Sequence, residues 1–240
     1  MDVYENAMVE ARVAFANRIN RLVKVANSEN LGFFLVYYAA LGSAIHESME
    51  KIFKKAAKRC KKMDFANLAE AFEAQASVES KQAEEMKSDT KIWIDWWNQR
   101  QSLDLSAKDY LRHPTMPSMQ VIQDLHQDVV EHQVPFAELA IAYEMQRTDT
   151  IHSFTLIKLA IFKLGLSALR RLGFVRRAAK LTTPRVLNKN LLAGFLKQHP
   201  EAVKPMIEKS CLALEAYAEF LDDCFRLANN EAEKYQCVAT

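Results

Sequence analysis

Between Asp64 and Arg100 the chain (DFANLAEAFEAQASVESKQAEEMKSDTKIWIDWWNQR) holds neither Gly nor Pro. Nothing in that stretch breaks a helix, and it is expected to run as one long helix. Leu68, Phe72, Met86, Trp93 and Trp97 recur at spacings that sum to whole turns and form one apolar stripe. Glu79, Gln82 and Asp89 fall on or beside that stripe. An amphipathic helix keeps its carboxylates on the wet face. A Glu set between Phe72 and Met86 is either paired in the interior or used for chemistry.

The rest of the chain is equally poor in turn residues, with five Gly and six Pro in 240 residues. Strand-rich folds need such residues every 8–12 positions, so the expected class is all-α. No linker is visible, and residues 1–240 read as one domain, with a fraying tail over 234–240. Cys60, Cys211, Cys224 and Cys237 form no Cys-x-x-Cys pair, and no secretory leader is expected. A disulfide framework or zinc finger is not expected, and a reducing cytoplasm is the natural setting. Lys or Arg breaks every apolar run before 18 residues, so no membrane span is expected.

In chain order, a first helix is expected over Tyr4–Ala26, then a turn or cap at Asn27–Asn30. A second helix over Leu31–Lys61 begins apolar nearly all round (LGFFLVYYAALGSAI) and ends basic (KIFKKAAKRCKK). His46 sits between the two halves and reads as a core or boundary histidine, with a ligand role as the alternative. Trp93, Trp96 and Trp97 read as core or interface packing. The stretch SLDLSAKDYLRHPTMPSM is expected to connect, with short helical turns broken by Pro114 and Pro117. Val121–His132 is expected to be helical. His126 and His132 do not share a face there, whereas Asp128 and His132 do and read as an exposed ion pair or a metal pair. In the next helix Ala137, Ala140, Ile141, Glu144 and Ile151 form a stripe, and Glu144 is the second carboxylate that breaks the pattern. A short helix over Asn188–Gln198, an interruption at His199–Pro200 and a last helix from Pro205 to Glu233 complete the chain, the last with Met206, Cys211, Leu214, Tyr217 and Leu221 inward.

Thr150–Pro200 contains no Asp or Glu but carries Lys158, Lys163, Arg170, Arg171, Arg176, Arg177, Lys180, Arg185, Lys189 and Lys197. Against a chain total of +2, this +10 leaves −8 for the remainder. The segment is either a solvated basic face or a docking site for an anionic partner, whether a membrane or other anionic surface, a nucleic acid, an acidic carrier protein or a charged substrate. Apolar residues interleave with the basic ones, as in surface-seeking helices. Gly165, Gly173 and Thr182–Pro184 argue for breaks within it. No phosphate loop or nucleic-acid motif is present.

Buried carboxylates on separate helices, with His nearby, are how helical bundles build diiron sites. Lys or Arg partners in a structural network are the alternative. The order of elements, the span Leu68–Trp97 and the segment LAIAYE resemble the haem-oxygenase-like superfamily, especially its iron-containing redox enzymes, over roughly residues 30–230. That resemblance implies a single haem-oxygenase-like helical bundle and a non-haem diiron oxidoreductase acting on a small organic acid or amine. It implies Glu79, Glu144 and His199 as iron ligands, with Gln82 and Asp89 hydrogen-bonding to orient them. The chain departs from the pattern in three places: Gln82 stands where a His is expected, and Val203 and Met206 replace an Asp and a His after His199. The departures leave open a variant iron site using Asp89, His46 or His126, and metal-free, thiaminase-like catalysis by Glu144 with Tyr143 or Tyr38. They also leave open a non-catalytic accessory protein that docks an acidic partner through 150–200. The tryptophan cluster and the fold analogy are compatible with a homodimer.

Overall fold

The computed structural model describes residues 1–171, 173 and 187–238, all in helices, turns or short connections, with no strand among them. The centre of the fold is an antiparallel helical hairpin. Helix α3 (Ser28–Lys62) and helix α4 (Ala66–Gln101) are joined through Asp64, whose φ of 61° makes the tight reversal. They form the most extensive helix pairing among the described residues. Asn27 caps α3: its side chain accepts from the Glu29 and Asn30 amides, and Asn30 returns a bond to the Asn27 N–H. Asn27–Asn30 is thus a cap rather than a turn, and α3 begins earlier than the sequence suggested.

The hairpin closes because small residues on α3 face large ones on α4. A Cβ on Gly32 would come within 2.4 Å of the Trp97 ring, and one on Gly42 within 2.5 Å of Met86. The Gly32 carbonyl also accepts from the Trp93 indole at 3.0 Å. Leu68, Phe72, Met86, Trp93 and Trp97 are all buried, as the stripe predicted. So is the whole run Leu31–Ser43, which lies at the middle of the bundle.

The expected first helix is two, α1 (Asp2–Ala7) and α2 (Val9–Val25). Helix α5 (Ala107–Leu111) is a short turn in the connection, and α6 (Pro117–Asp128) runs into a π-helical turn, Val129–Gln133, before Pro135. Helix α7 (Ala137–Leu164) stops at Gly165, whose φ of 87° suits glycine, and α8 (Leu166–Leu169) follows. The break expected at Thr182–Pro184, and Arg176, Arg177, Lys180 and Arg185, lie outside the described residues. Helix α9 (Lys189–Gln198) is capped by Asn188. Helix α10 (Val203–Val238) packs against α2, α3, α6 and α7. It continues to Val238, past the end that the sequence placed at Glu233. Cys60, Cys211 and Cys224 are free thiols. Among the described residues, no helix is long and apolar enough to cross a membrane.

Candidate functional site

Two regions depart from an ordinary helical core: a set of buried ionisable groups inside the bundle and an apolar, basic face on α7 and α8.

The bundle interior holds three buried carboxylates, each from a helix and each with its own partner. Glu144 on α7 is fully buried. The Arg12 guanidinium grips both its oxygens, at 2.8 and 2.5 Å, and the Tyr4 hydroxyl donates to it at 3.2 Å. Arg12 also reaches Glu5 at 2.6 Å. Burial and the Glu144 charge push the Tyr4 phenol well above its ordinary range, so it stays a donor. Glu79 on α4 lies 2.5 Å from His46 Nδ1 on α3 and accepts from Gln75 at 2.6 Å. Burial alone would lower the His46 pKa, but the Glu79 charge and hydrogen bond outweigh it and hold it raised. Glu138, also fully buried, faces His126 Nδ1 at 2.8 Å.

Between α3, α7 and α10 lies a chain of hydroxyls. Tyr217 donates to Asp149 at 3.1 Å, and the Tyr38 and Tyr217 oxygens are 2.9 Å apart. His152 stands beside it, its ring 6.0 Å from that of Tyr38. It is 3% exposed, and neither ring nitrogen has a hydrogen-bond partner among the described residues. Burial lowers its pKa to about 4.

The residues expected to hold iron are therefore spread among different partners. Glu79 is held by His46 and Gln75, and Glu144 by Arg12. His199 ends α9 with its ring packed on Phe65 and Phe195, 3.4 Å from Glu201. Gln82 is half-buried, and Asp89 lies against the Gly173 backbone. A carboxylate gripped on both oxygens by a guanidinium does not fit a bridging role, so Glu144 as placed does not fit the diiron set. Among the described residues, no group of three or more His, Cys, Asp or Glu is placed to hold a metal ion. Asp128 pairs with Lys209 at 2.7 Å rather than with His132.

Sequence reasoning missed Arg12, Tyr4, Glu138, Asp149 and His152. Arg12 left a readable trace: Tyr4, Met8, Phe15 and Ile19 form the buried stripe of α1 and α2, and Arg12 interrupts it. The pairing of Glu138 with His126 left none, since only the packing of α6 and α7 brings the two together.

On the outer side of α7, Ile151, Phe154, Lys158 and Phe162 share one face, and Leu166 follows beyond Gly165. Phe162 is 82% exposed, Leu166 72% and Ile151 61%. Ile151 was expected to point inward with Glu144; it points out. Lys163 Nζ sits 5.5 Å above the Phe162 ring, and Arg171 and Arg100 each lie 5.4 Å from the Trp96 ring. Ile92, Leu166, Ser167, Arg170 and Arg171 line an open cavity of about 590 Å³ beside this face.

No family model, curated protein or solved structure matches this chain.

Proposed function

We propose that this chain is a helical accessory protein that docks an anionic partner through the α7–α8 face. One observation carries the reading: large apolar side chains stand exposed on a segment whose charged residues are all basic. Large apolar groups exposed along one face of a helix mark binding surfaces when they act together. The single sign of charge supplies long-range attraction and rejects basic partners. Meanwhile the acidic residues that chemistry would need in the interior are engaged by Arg12, His46 and His126.

Titration with poly-L-glutamate tests this reading. Binding is expected at low ionic strength and should weaken steeply with added salt. Lys158→Glu with Arg170→Glu should weaken it about tenfold or more, equal to at least ~1.4 kcal/mol. Glu79→Gln should leave it unchanged. Absence of binding at low salt, or indifference to the charge reversals, would contradict the reading.

A second reading retains an oxidoreductase of the haem-oxygenase-like type. His152 favours it, because two bare ring nitrogens at full burial are what a bound ion or small polar molecule would satisfy. In that reading the donors come from the neighbourhood of His152 and Asp149, and Glu144 keeps its guanidinium.

A further inference from the structure

We infer that the anionic partner is a lipid bilayer bearing anionic headgroups, a proposal that rests on the docking reading above. The shape of the face separates a bilayer from a folded acidic protein. Phe162 and Leu166 are the most exposed of these, with Ile151 and Phe154 further back along the same side of α7, and a protein partner would need a matching pocket for each. The boundary between headgroups and acyl chains accepts protruding apolar groups without such complementarity.

The basic residues are placed for the same purpose. Lys158 lies within the apolar face, Lys163 adjoins Phe162, and Arg170 and Arg171 follow Leu166. Their long stems can lie along an apolar surface while the charged heads reach headgroup phosphates. Thr150–Pro200 contributes no acidic residue to oppose the approach. The mode would be attachment to one leaflet, since no helix among the described residues is long and apolar enough to cross. Apolar and charged contributions should therefore be separable by mutation: the first unique to a bilayer, the second shared with any polyanion.

The test is co-sedimentation of the full chain with vesicles of phosphatidylcholine, alone or with about 30 mol% phosphatidylglycerol, at about 50 mM salt. Poly-L-glutamate and single-stranded RNA serve as non-lipid polyanions. Binding to the phosphatidylglycerol vesicles should exceed that to pure phosphatidylcholine by about tenfold or more. Phe162→Ser with Leu166→Ser should reduce vesicle binding about tenfold or more and leave poly-L-glutamate binding unaltered. Both residues are exposed, so the fold should tolerate the changes, which the unchanged poly-L-glutamate affinity confirms. Polyanion binding without vesicle binding, or vesicle binding indifferent to the Phe162 and Leu166 changes, would overturn the bilayer proposal and leave docking standing. Preference for RNA over vesicles would overturn it in favour of a nucleic acid. Failure to bind any of these would remove both readings.

Discussion

Replacing Arg12 with Met should cost about 3–5 kcal/mol of stability, the range for removing one partner of a buried ion pair. The change leaves Glu144 fully buried, with the Tyr4 hydroxyl as its remaining donor from α1. Arg12 cannot be replaced from solvent, because Glu144 sits inside the bundle, and the burial that makes the bidentate pair strong makes the orphaned carboxylate costly. Glu5 loses a partner too, but it is near the surface and Arg147 remains within 3.5 Å of it. The double variant Arg12→Met/Glu144→Leu removes both charges and should recover most of the loss, since an apolar pair of similar volume often replaces a buried ion pair without penalty. Urea unfolding of the four proteins gives the coupling energy directly. An Arg12→Met protein within about 0.5 kcal/mol of the parent would show that the pair does not hold the N-terminal helices to α7.

The second large effect is on acid stability and comes from His152. Its pKa is lowered to about 4 in the folded chain because burial opposes its charged form, against about 6.5 in the unfolded chain. Between those values the unfolded chain takes up a proton that the folded chain does not, so folding loses stability as pH falls through that window. The loss saturates near pH 4 at about 3 kcal/mol. His46 has the opposite sign: Glu79 holds its pKa raised, so its contribution is complete below the unfolded value and is lost as pH rises through the folded one. Comparing His152→Leu with the parent cancels His46 and the carboxylates and isolates His152. The variant should be at least as stable at pH 7, where two unpartnered nitrogens have been removed. Its advantage should grow by about 3 kcal/mol on acidification to pH 4. Parallel stability curves would mean that the His152 nitrogens are solvated or paired in solution.

These two sites mark the limit of what the sequence discloses. The α4 stripe was legible because helical spacing dictates which residues share a face, and Leu68, Phe72, Met86, Trp93 and Trp97 are buried accordingly. The interior position of Glu79 and Glu144 was legible for the same reason. Their partners were not, because Arg12 and Glu144 are 132 residues apart and only tertiary packing of α2 on the bundle brings them together. Periodicity misplaced Ile151 because it follows Glu144 by seven residues, near two full turns, and the pattern carries no information on where the core ends. Past Glu144 that side of α7 is exposed at Ile151, Phe154 and Phe162, so the stripe emerges from the core. The basic segment and its interleaved apolar residues were legible in the sequence, whereas which of those apolar residues stand exposed was visible only in three dimensions.

Central to this reading is that the interior carboxylates serve the fold while the α7–α8 face serves a partner. Anaerobic iron(II) titration of the full chain, following bound metal and thermal midpoint together, separates it from the metalloenzyme alternative most directly. The expected result is no stoichiometric iron and an unchanged midpoint, because Glu144 is already gripped by Arg12 and Glu79 is already engaged by His46 and Gln75. Uptake of about two iron atoms per chain, as a helical-bundle diiron site requires, with a raised midpoint and loss of both effects in Glu79→Gln, would contradict it.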